Sequence, residues 1–82
     1  MVQNFEFFNL TLIISSLLGV SANQVTSEST PSDFDLWDSV MQVEIIAQLE
    51  GELPGLLSFS PELPSKTSVS EIWKEIERYM NH

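Results

Sequence analysis

The chain of 82 residues has no cysteine, one histidine, and three basic residues against twelve acidic ones. Without cysteine, the disulfide route by which very small domains often compensate for a small core is closed, and no redox compartment can be read. The lone histidine, His82, is the last residue and reads as tail rather than ligand. With no thiol and no second imidazole, a zinc site is not expected. Nor is there a Ser/His or Cys/His pairing for nucleophilic catalysis, so an enzyme is not expected either. The net charge of -9 argues against binding nucleic acid or an anionic lipid surface, because phosphate contacts need Lys and Arg. Helix packing remains as the means of holding one small domain together.

What is present is hydrophobic patterning. The longest apolar run, Leu10 to Ala22, is shorter than the roughly 20 residues that cross a bilayer. It also lacks the basic flank of a secretory signal, since Glu6 is the only charge ahead of it. It reads as a buried first helix in a cytoplasmic protein, spanning about residues 4–18 from Asn4. Phe7, Leu10, Ile14, Leu17 and Leu18 fall on one arc of that helix, while Phe5, Phe8 and Leu12 crowd another. A helix apolar on so many sides is expected to have a second apolar partner. Gly19 stands where a left-handed C-cap belongs. Residues 19–38 then read as a long polar loop, rich in Ser and Thr.

A second helix is predicted over about 39–53, with Ile45, Ile46, Leu49 and Leu53 inward and Val43 beside them. Its opposite face carries Val40, Met41, Glu44, Ala47, Gln48 and Gly51, which is apolar for a solvent face. Pro61 and Pro64 rule out a long third helix. A short turn over about 60–66 fits, with Ser60 as cap and Pro61 in first position. The last helix, about 69–80, gathers Val69, Ile72, Trp73, Ile76, Tyr79 and Met80 on one face behind a Ser68/Glu71 capping box. The expected fold is all-α: a small up-and-down bundle of three main helices plus a short third-segment turn.

Asp38-Ser39-Val40 sits at the opening of the second helix. Unpaired amides and the helix dipole there favour a negatively charged group such as a phosphate. The stretch from Asp35 to Glu50 closely resembles the acyl carrier protein family, in which an Asp-Ser-Leu motif opens the second helix. The resemblance extends through Leu18-Gly19-Val20, Gln24-Val25-Thr26 and the spacing to Thr67-Ser68-Val69 and Ile76, covering roughly Leu10 to Met80. It implies that Ser39 carries 4'-phosphopantetheine as a phosphodiester, with Trp37, Asp38 and Val40 as the flanking motif. It further implies that Val40, Met41, Glu44, Ala47 and Glu50 meet partner proteins, and that Gln42, Val43, Ile46 and Ile76 border an acyl pocket. The implied partners are a phosphopantetheinyl transferase, an acyl-loading ligase or acyltransferase, and synthase or transferase enzymes of fatty-acid, polyketide or related specialised biosynthesis. The protein would be a stand-alone, monomeric carrier of thioesters.

The chain departs from that pattern in places. Asp35 and Leu36 stand where many members have a glycine, and neither takes a left-handed conformation as easily. Met41 and Gly51 replace residues that are often acidic. Trp37 is large for its place, and is expected to pack over the helix start. Gln42 lies among apolar residues; a side chain snorkelling at the helix edge is the preferred reading, and a polar contact with the cargo the other. Two alternatives stand beside the acyl carrier. One is an aminoacyl carrier of the D-alanyl or peptidyl type, which only the loading partner distinguishes. The other is a small acidic helical adaptor or inhibitor that binds through the apolar helix-two face.

Overall fold

The computed structural model describes residues 5–81. The expected helix start at Asn4, and His82, lie outside that range, but Phe5 and Glu6 are not helical, so the first helix opens later than expected, behind Glu6 as its cap. The described residues form four α-helices: α1 (Phe7–Leu18), α2 (Ser39–Glu52), α3 (Leu56–Phe59) and α4 (Val69–Asn81). Single 3-10 turns at Ala22–Gln24, Pro31–Asp33 and Leu63–Ser65 punctuate the connections, and no strand occurs among the described residues. The protein is all-α.

Local chemistry sets most helix ends. Gly19 closes α1 in the left-handed region at φ 74°, and the Val20 amide donates back to the Ser15 carbonyl at 3.0 Å. Within α1, buried Thr11 and Ser15 return their hydroxyl protons to the carbonyls of Phe8 and Leu12. Asp38 caps α2, its carboxylate accepting the Met41 amide at 2.9 Å. At the head of α4, the Ser68 hydroxyl accepts the Glu71 amide at 3.2 Å.

The third segment agrees with expectation in part: a short turn falls within residues 60–66, at Leu63–Ser65, but Pro61 does not open it, and the four-residue α3 ahead of Pro61 was not expected. Ser60 is fully buried and gives its hydroxyl proton to the Glu75 carboxylate at 2.7 Å, a tie to α4 that the local sequence did not announce. Gly55, at φ 93°, turns the chain into α3. The Glu50 carboxylate takes the amides of Gly55 and Leu57, both at 2.8 Å, and so closes the start of that short helix. The Leu63–Ser65 turn follows, with Pro64 inside it.

Leu10, Ile14 and Leu18 of α1 pack with Ile45, Ile46, Leu49 and Leu53, joined by Leu56, Leu63, Val69, Ile72 and Ile76. α1 lies against α2; α2 meets α3 and the Leu63–Ser65 turn; α3 meets α4. The long connection joins the core through Val25 and Trp37, and the Ser29 carbonyl accepts the Val69 amide at 3.1 Å. On the second arc of α1, Phe5 packs partly against the core, but Phe8 is 61% exposed and Leu12 is exposed too. The expected second apolar partner for that arc is therefore not found among the described residues. No helix among the described residues is long and apolar enough to cross a membrane.

Candidate functional site

Ser39 is the first residue of α2, and its side chain is exposed. Among the described residues its hydroxyl makes no hydrogen bond, and the Ser39 and Val40 amides find no acceptor. The Met41 amide is taken by Asp38, and the Gln42 amide by the Asp38 carbonyl at 2.9 Å. A free hydroxyl thus stands at the positive end of a 14-residue helix with two unclaimed donors beside it. That donor set suits a singly charged phosphodiester, although Asp38 brings a carboxylate of like charge to the same turn.

The approach to Ser39 follows its own route. Among the described residues only glycines have a positive φ, so Asp35 and Leu36 do not imitate a left-handed glycine. Instead the Trp37 amide bonds the Phe34 carbonyl and the Asp38 amide the Leu36 carbonyl, at 3.1 and 3.0 Å. This tight path drives the Trp37 ring inward, where it is buried, as expected of a packing residue.

Beneath the ring lies the main correction to the sequence reading. Gln42 does not snorkel; it is buried, at 7% exposure. Its Oε1 accepts the Trp37 indole N–H at 2.7 Å, and its Nε2 donates to the carbonyls of Lys66 at 2.7 Å and Pro64 at 3.3 Å. One carboxamide therefore ties the loop before α2, α2 itself and the segment after α3. Both of its N–H groups are used inside the protein. Losing this side chain removes the partner of three polar groups, and for the buried Trp37 indole N–H that costs about 1–3 kcal/mol.

An open cleft of about 450 Å³ runs beside Ser39, lined by Pro31, Trp37, Asp38, Gln42, Val43, Pro64 and Thr67. Of the four residues expected at an acyl pocket, Gln42 and Val43 border it. Ile46 and Ile76 do not; both are buried in the core. Val43, expected beside the core, is 64% exposed at the cleft rim.

The expected partner surface divides in two. Val40 (65% exposed), Glu44 and Ala47 face solvent. Met41 packs partly against the core, and Glu50 is engaged with the Gly55 and Leu57 amides. Those amides, Leu57 first, hold the Glu50 carboxyl below the usual carboxylate range. Leu36, 59% exposed next to Trp37, adds an apolar contact point that the sequence reading did not single out. Among the described residues no group of three or more His, Asp or Glu could hold a metal ion.

Comparison with protein families, with curated proteins and with solved structures finds no match to this chain.

Proposed function

We propose that this protein is a discrete carrier that holds acyl intermediates as thioesters on a 4'-phosphopantetheine arm attached to Ser39. The observation that carries the reading is the unbonded, exposed hydroxyl of Ser39 at the start of α2, beside two unclaimed backbone amides. The sequence resemblance to acyl carriers around that serine supports it independently of the geometry.

In the loading step, a phosphopantetheinyl transferase would direct the Ser39 oxygen at the phosphopantetheine phosphorus of coenzyme A. A phosphodiester forms at Ser39, the bond to the adenosine bisphosphate breaks, and the transferase takes the serine proton. The chain itself contributes the hydroxyl, the Asp38 cap that fixes the helix start, and the free amides that receive the phosphodiester charge. Exposure of Ser39 leaves it open to a second protein. When bound, the arm supplies the thiol that holds the cargo. A ligase or acyltransferase would load it, and synthase or transferase enzymes of fatty-acid, polyketide or related biosynthesis would use it.

A second reading draws on the exposed apolar side chains Leu36, Val40 and Val43, which suit an acidic adaptor that binds a partner without modification. One experiment separates the two. The purified protein is incubated with coenzyme A and a promiscuous transferase, then weighed intact. A carrier gains the mass of one phosphopantetheinyl group, and Ser39→Ala gains none. No gain, or a gain that survives Ser39→Ala, removes the carrier reading.

A further inference from the structure

Whatever is tethered to Ser39 meets the cleft of Pro31, Trp37, Val43, Pro64 and Thr67 first. To travel deeper it must pass between α2 and the segment that carries Pro64 and Lys66. Gln42 spans that gap. It stands one turn beyond Ser39, and its carboxamide holds Trp37 on one side and the two carbonyls on the other. Ile45, Ile46, Leu49, Leu63, Ile72 and Ile76 pack tightly into the core, all of them buried. An alkyl chain that parted these elements would leave the Trp37 indole N–H and the Pro64 and Lys66 carbonyls without partners. It has no donor or acceptor to offer in exchange.

We propose that Gln42 is a specificity-determining residue that bars the interior of the bundle to the cargo on Ser39. The cargo then rests in the surface cleft, and its class is short or polar acyl groups rather than long alkyl chains. This rests on the carrier reading, and the test keeps the two apart.

The transferase is supplied with acetyl- or octanoyl-coenzyme A, and intact mass first establishes loading at Ser39. Absence of loading overturns the carrier reading, and the cargo proposal with it. In the loaded protein, two quantities are followed: the rate at which hydroxylamine cleaves the thioester, and the NMR shifts of the Ile46, Ile72 and Ile76 methyl groups. In the wild-type protein, octanoyl and acetyl thioesters should be cleaved at similar rates, with the core methyl shifts the same for both.

In Gln42→Ala, the octanoyl thioester should be protected roughly tenfold or more relative to the acetyl one, since burial of a few methylenes suffices for that. The core methyl groups should then shift with chain length. Trp37→Phe, which removes one of the three hydrogen bonds, should give an intermediate protection and serves if Gln42→Ala does not fold. Octanoyl protection or core methyl shifts in the wild-type protein, with loading intact, would overturn the cargo proposal alone. Unchanged, unprotected thioesters in a folded Gln42→Ala would overturn the role of Gln42.

Discussion

Two polar side chains of α2 do work that their sequence neighbourhood conceals. Gln42 satisfies three polar groups at once, and Glu50 accepts two amides at the start of the α3 turn. For Glu50 the consequence is a pH dependence with a definite sign. Its folded-state pKa lies below the ordinary value, chiefly through the Leu57 amide and then the Gly55 amide. The unfolded chain therefore takes up the proton first as pH falls. The stability Glu50 contributes is full above the ordinary carboxylate range and is lost as pH drops through the folded value. Glu50→Gln should accordingly melt below the wild type at neutral pH, by a small but measurable margin. Thermal scans across decreasing pH should show the two melting temperatures converging in acid, and a gap that stays constant with pH would contradict the assignment.

At the scale of elements, the boundaries of α1 and α2 follow from single residues acting on their own backbone. Gly19 is the clearest case, because a Cβ placed there would meet nothing within 4 Å. The cost of replacing it is conformational and not steric. Gly19→Ala should lower stability by about 1 kcal/mol, the penalty for holding a side chain in the left-handed region. Urea denaturation measures that directly, with an unchanged m value expected because the fold is the same. The four residues of α3 are too few to form a helix unaided. They depend on Gly55, on the Glu50 carboxylate, and on the burial of Leu56 in the core.

For the whole molecule, a chain of this length is expected to have a folding stability of roughly 4–12 kcal/mol. Fully buried Ile72 draws heavily on that reserve. Ile72→Ala should cost about 2–5 kcal/mol and leave the domain marginal or unfolded by circular dichroism. Phe8, though larger, lies 61% exposed on α1. Phe8→Ala should shift stability by only about 0.5 kcal/mol or less. The contrast, read in one set of denaturation curves, tests whether the second arc of α1 truly lies outside the core.

The all-α class, the course of α1, α2 and α4, the Gly19 cap and the placement of Ser39 behind Asp38 were all legible in the residues. Each rests on periodicity or on contacts within a few positions, and such short-range rules act before the chain is packed. The same holds for the core faces, where Ile45, Ile46, Leu49, Leu53, Val69, Ile72 and Ile76 all proved buried. Other features needed the assembled bundle. Gln42 finds its partners 22 and 24 residues away, and Ser60 meets Glu75 across 15. Those pairings made an edge glutamine a buried tie and fastened the third segment to α4. Periodicity could place Phe8 and Leu12 on an apolar arc, but only the tertiary packing revealed that none of the described elements covers them. Sequence pattern fixes which side of a helix is apolar; which neighbour arrives, and which hydrogen bonds its arrival leaves to be made, is settled only when distant segments close on one another.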